Sequence, residues 1–150
     1  VSSRPGFEFV EGATSDLSFV ARGPSLEAVF SAAAEALLAA TLEDPESLRD
    51  ELERSLVLEE PELDLLLLRF LNELVYLRDA EELLLRPRHL RVSGGALEGA
   101  EGVRLEAELV GERIDRARHR FGCEVKAATA HRLRVSRAGG GWEATVTLDV

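Results

Sequence analysis

Two aspartates near opposite ends of the chain, Asp16 and Asp149, and one lysine, Lys126, are the residues whose chemistry asks for an explanation. Lys126 is the only lysine among 18 basic residues. An ammonium is a compact, strongly hydrated point charge on a flexible stem, and a planar guanidinium does not replace it beside a metal ion or a phosphate. Asp16 and Asp149, with the terminal carboxylate of Val150, offer oxygen donors without nitrogen or sulfur. Such a set suits a hard divalent cation, Ca²⁺, Mg²⁺ or Mn²⁺. The competing reading is that all three groups are ordinary solvated surface residues, with Lys126 a survivor of codon bias. His131 follows Lys126 in the same predicted strand, and its parity turns it toward the core as a satisfied structural histidine or, alternatively, a ligand or a contact for a partner. His119 reads as an exposed loop residue, and His89 begins a strand with no assigned role. Cys123 is the single cysteine, so no internal disulfide forms.

These groups need a scaffold to bring them together. "FEFV" (7–10) and "DLSFVAR" (16–22) alternate as strands. In the second, Leu17, Phe19 and Ala21 share one face, while Asp16, Ser18, Val20 and Arg22 share the other. Ser25 is an N-cap for a helix over 26–41, whose apolar stripe is Leu26, Val29, Phe30, Ala33, Leu37 and Ala40. A strand is predicted over 52–59. Pro61 opens a second helix, 62–79, with Leu63, Leu66, Leu67, Phe70, Leu71, Leu74 and Leu77 as a wide buried face. The period then changes from 3.6 to 2. Strands are predicted near 89–93 (starting as early as 84, interrupted at Pro87), 103–111, 124–137 and 142–150, with 112–122 a loop. In the long strand, Val125, Ala127, Leu133 and Val135 point inward, which sends Lys126, Ala128 and Ala130 outward. Parity sends Asp149 outward too, with Glu143, Thr145 and Thr147. Four consecutive strands with short connections predict an antiparallel meander. The fold class is therefore α+β: a two-layer domain, mostly antiparallel sheet, with two helices packed on one face, occupying residues 1–150 as a single unit.

Composition bounds the function. At 150 residues the chain buries a sizeable core. The formal net charge of −10 argues against strong direct nucleic-acid binding, because phosphate neutralisation supplies most of such affinity. If the protein acts in nucleic-acid chemistry, the expected route is through a basic protein partner. No run approaches the roughly 18 apolar residues of a membrane span, and the N-terminal stretch does not read as a signal peptide. The expected location is the cytoplasm, with no membrane association.

Three stretches carry a resemblance. "VEGATSDLSFVARGPSLEAVFSAAAEALL" (10–38) is similar to the opening of archease proteins, with their DHTAD-type loop, strand, glycine and helix. "LLLLRFLNELVYLRDAEEL" (65–83) resembles the family's leucine-rich helix. "GERIDRARHRFGCEVKAATAHRLRV" (111–135) resembles its most specific segment, where a Gly-Glu, an Asp and a His precede a VKA-x-T-x-H strand. The ending "LDV" is similar to the family's terminal aspartate plus aliphatic residue. The resemblance implies a protein cofactor, not itself an enzyme, of the RtcB-type RNA ligase of tRNA splicing and repair, aiding guanylylation of the ligase and its multiple turnover. It implies Asp16 and Asp149 as metal ligands, and Lys126 and His131 as residues of partner activation. Gly12–Ala13 stand where the family has Asp-His, and Ala130 where it often has an aromatic residue. Alternative functions are a chaperone or interaction module for a tRNA-modifying enzyme and a stand-alone metal-dependent hydrolase. Against the latter, the sequence contains no HExxH motif, no phosphate-gripping glycine loop and no nucleophile paired with a base.

Overall fold

The computed structural model describes residues 6–10, 16–94 and 101–150. The elements run β1 (Gly6–Val10), β2 (Asp16–Gly23), α1 (Leu26–Thr41), a 3-10 turn (Pro45–Ser47), β3 (Leu52–Glu60), α2 (Leu63–Glu81), β4 (Leu83–Gly94), β5 (Val103–Arg113), β6 (Ala127–Ala138) and β7 (Gly141–Asp149). The class is α+β with antiparallel pairing throughout, as the alternation predicts. The expected continuous meander is corrected. The strands form two sheets, ordered β1-β2-β7-β6 and β3-β5-β4, so the chain leaves one sheet after β5 and enters the other at β6. Strand β7 then inserts between β2 and β6, and this insertion brings the two ends of the chain side by side.

The helices form where the stripes predict, for identifiable reasons. Ser25 has extended backbone, and its hydroxyl accepts from the Ala28 N–H at 3.1 Å, satisfying one of the four orphan donors of α1. Every residue of the predicted α1 stripe is buried. Helix α2 begins at Leu63, two residues after Pro61, and ends at Glu81, capped by Glu82 in the left-handed conformation with φ 57°. Each helix touches strands of both sheets. One contiguous cluster, including Phe19, Phe30, Phe70, Leu105 and Val146, joins both helices to both sheets.

Strand β4 runs straight through Pro87, which the sequence reading treats as an interruption. The pairing slips between Pro87 and His89, and β4 is an edge strand. A proline is tolerated there because a bulge or an edge does not need its missing N–H. Gly111 of β5 is required by close approach. A Cβ at that position would lie 1.8 Å from the Leu84 carbonyl oxygen.

Strand β6 differs most from expectation. It starts at Ala127, and Ala128 is buried where Ala127 was the predicted inward residue. The cause is an irregularity between Thr129 and Arg134. Four residues, Ala130–Leu133, oppose the single Val146 of β7, and Arg132 takes a positive φ of 55°. Three extra residues invert the side-chain parity. Ala128 and Val135, an odd number of positions apart, therefore both register with core residues, Leu148 and Ala144.

Candidate functional site

The outer face of the β1-β2-β7-β6 sheet is polar and organised in cross-strand rows. At one end Arg22 bridges Glu8 and Glu143 at 2.6 and 2.8 Å. In the middle Thr147 registers with Ser18 on one side and Thr129 on the other. Thr147 is buried although it lies on the outer face. Its hydroxyl shares a 2.9 Å hydrogen bond with Ser18, and Thr129 Oγ1 donates to its carbonyl oxygen at 3.1 Å. In the last row Asp149 is the register partner of both Asp16 and Ala127.

Asp16 and Asp149 thus face each other on adjacent strands. Both are half-buried, and among the described residues neither carboxylate forms an ion pair. Like charges directly opposite on a sheet repel. Ala127, on the other flank of Asp149, contributes only a methyl group and leaves the approach open. The Lys126 N–H donates to the Asp149 carbonyl oxygen at 2.8 Å, so the lysine backbone is tied to the same row. Lys126 is exposed, and among the described residues its ammonium has no carboxylate within salt-bridge distance. Val150 packs partly buried against the main core.

His131 is corrected by the bulge. It does not face the core; it is exposed within Ala130–Leu133, where its N–H points to Thr129 Oγ1 at 3.4 Å. The bulge opens beyond Thr129, roughly 7 Å along β6 from Ala127 at normal strand rise. His131 therefore stands beyond the Asp16–Asp149 row on the same strand that carries Ala127.

His119 is also corrected: it is buried, not exposed. Its Nδ1 accepts from the Asp115 N–H at 2.8 Å, which places the ring proton on Nε2. Nε2 lies 3.2 Å from Glu112 Oε2, but too poorly aligned for a hydrogen bond. Glu112 is itself buried and accepts from the Arg49 N–H at 2.7 Å and from the Arg118 guanidinium. Burial first, and the nearby Arg118 second, push the His119 imidazole below its ordinary range, so it stays neutral. This cluster closes the segment after β5 onto the segment after α1. Further along that segment the Gly122 and Cys123 N–H groups donate to the carbonyls of Thr41 and Ala40 at 2.8 and 2.9 Å.

Sequence reasoning missed Asn72 and Arg78 of α2, to which it gives no role. Asn72 Oδ1 accepts from the Ala128 N–H at 2.9 Å, and its Nδ2 donates to the Ala128 carbonyl at 3.0 Å. Arg78 donates to the Val125 carbonyl at 2.5 Å. The available signal was a carboxamide in a leucine-rich face, where a half-buried amide must find partners.

The model of the Archease protein family (MTH1598/TM1083) matches residues 7–150. The chain belongs to the archease family. It is 32% identical over 147 residues to protein archease of Methanosarcina mazei, covering 96% of this chain and 95% of that protein. It is 30% identical over 138 residues to protein archease of Pyrococcus abyssi, covering 91% and 94%. Among solved structures it resembles protein 1598 of Methanobacterium thermoautotrophicum, with a TM-score of 0.81, 29% identity, and coverage of 97% and 99%. An archease of Thermotoga maritima, described as a possible chaperone, shares the fold at a TM-score of 0.60 and 20% identity, covering 92% and 93%.

The archease resemblance implies a divalent cation at Asp16 and Asp149. These two residues fit it in kind: oxygen donors, half-buried, facing each other without a neutralising side chain among the described residues. Two carboxylates would make up only part of the shell of about six to eight oxygens that Ca²⁺ takes. No group of three or more His, Cys, Asp or Glu suited to a metal occurs among the described residues. Gly12 and Ala13, in place of the family's Asp-His, lie outside the described residues. No helix of the described residues is long and apolar enough to cross a membrane.

Proposed function

We propose that this archease is a protein cofactor of an RtcB-type RNA ligase, not an enzyme in its own right, and that it promotes the ligase's guanylylation and multiple turnover. The observation that carries the reading is the row Asp16–Asp149–Ala127, with the Lys126 backbone bonded to Asp149. Asp16 and Asp149, with the carboxylate of Val150, are the residues that would hold a divalent cation, Ca²⁺ foremost, or Mg²⁺ or Mn²⁺. A cation bound there supplies positive charge for a phosphate-bearing site on the partner. Lys126 is exposed, forms no ion pair among the described residues and follows directly from the backbone bond to Asp149, and exposed His131 offers an imidazole to the docked protein. The net charge of −10 favours a basic protein partner and disfavours direct capture of RNA.

The test is multiple-turnover ligation by a purified ligase of this type, with and without the chain. Stimulation that Asp16→Ala weakens and Lys126→Arg impairs, in variants that remain folded, supports the reading. Equal turnover with wild type and both variants refutes it. Phosphoester hydrolysis by the isolated chain would instead place the activity in this protein. A chaperone role is the second reading. It draws on the exposed Phe7, Phe9 and Val10 of edge strand β1 and on the description of the Thermotoga protein.

A further inference from the structure

Lys126 is exposed and has no ion-pair partner among the described residues, so its location depends on how the backbone around it is held. Four hydrogen bonds from two elements do this. The Val125 carbonyl accepts from Arg78, the Lys126 N–H donates to Asp149, and both backbone groups of Ala128 are met by Asn72. Strand β6 is the edge of its sheet, and α2 lies along that edge. Asn72 therefore does for Ala128 what a further strand would do. Asp64, one helical stretch earlier, accepts from the Val135 N–H at 3.2 Å.

The spacing is matched. Six residues of α2 separate Asn72 from Arg78, a rise of about 9 Å. Three residues separate Ala128 from Val125, a reach of at most about 10 Å. From Asp64 to Asn72 the helix rises about 12 Å. From Val135 to Ala128 the chain advances seven residues, three of which are bulged out, leaving about 13 Å of strand. The bulge thus keeps β6 in step with the helix, and the polar side chains of α2 grip the strand at both ends.

We propose that Asn72 and Arg78 are positioning residues for Lys126: they hold the backbone on either side of it and so fix where its exposed side chain leaves the edge of the sheet. This rests on the activator reading for its functional half. Its structural half does not.

The experiment uses the full chain carrying Asn72→Ala, Lys126→Ala, or both. Amide exchange is followed on the isolated protein, and ligase turnover is followed against chain concentration. Asn72→Ala is expected to speed exchange at the Ala128 and Lys126 amides while β2 stays protected. The plateau of stimulation should fall about tenfold to a hundredfold, as misplacing an active group does, with the half-maximal concentration unchanged. The double variant should be no worse than Lys126→Ala alone, because both act through one group. Unchanged exchange at both amides overturns the clamp. A double variant clearly worse than Lys126→Ala overturns the positioning role. Full stimulation by Lys126→Ala overturns the role assigned to the lysine, and the exchange result still decides the clamp. Arg78→Gln, too short to reach the Val125 carbonyl, gives the same comparison if Asn72→Ala does not fold.

Discussion

Replacing Asp16 by asparagine should stabilise the metal-free protein and abolish its response to calcium. Asp16 and Asp149 are register partners on neighbouring antiparallel strands. Side chains so placed have Cβ atoms about 5 Å apart. Two unit charges at that distance repel by about 0.8 kcal/mol in water and by about 3 kcal/mol at an effective dielectric constant near 20. Both residues are half-buried at the end of the sheet, and salt screens them, so the lower figure governs. Asparagine is nearly isosteric with aspartate and removes one charge. We expect a gain of about 0.5–1 kcal/mol at low ionic strength, consistent with the measured range for cross-strand pairs. With an m-value near 2 kcal/mol/M, the urea midpoint rises by about 0.3–0.5 M. The assay is urea denaturation in chelator at low and at 1 M salt, then with calcium. The gain should shrink at high salt. Calcium should stabilise the wild type by about 2.7 kcal/mol at a hundredfold excess over Kd, and Asp16→Asn by much less. A neutral or destabilising effect of Asp16→Asn in chelator at low salt would show that the two charges do not oppose each other. Equal calcium shifts in both proteins would remove the cation from this pair.

Other outcomes are testable with the same methods. His119 is held neutral in the folded state, with its pKa lowered by burial. Its contribution to stability is therefore complete above the unfolded value of about 6.5 and is lost as pH falls below it. The wild type should lose more stability between pH 7.5 and 5.5 than His119→Gln, and equal losses would contradict this. Gly111→Ala should destabilise by about 1–3 kcal/mol, because the new Cβ meets the Leu84 carbonyl; a urea midpoint equal to wild type would mean that β4 and β5 separate freely. Lys126→Arg should leave the urea midpoint within about 0.5 kcal/mol of wild type, since the side chain is exposed, while ligase stimulation falls.

Much of this molecule is readable from local pattern. The stripe of α1 is buried in full, and the alternation in β2, with Phe19 and Ala21 inside and Asp16 outside, holds because two-residue periodicity is a property of the strand itself. Other features are not local. Parity in β6 fails between Ala127 and Ala128 because the Ala130–Leu133 bulge sits downstream, and nothing in an alternating stretch announces how many residues its partner will skip. His119 was read as exposed from its arginine-rich surroundings. Its burial depends on Glu112 and Arg118 meeting against the segment after α1.

The sequence by itself determined which residues could do chemistry and what kind: two oxygen-only aspartates and one ammonium among guanidiniums, in a chain of net charge −10. It also determined the elements, since hydrophobic period and caps act within a few residues. Only the tertiary structure decided that the chain's distant parts meet. Asp16 lies beside Asp149, and Lys126 hangs from Asp149, because β7 inserts between β2 and β6. That insertion is a choice among strand pairings separated by more than a hundred residues, and it is settled by burying one shared core rather than by any local preference.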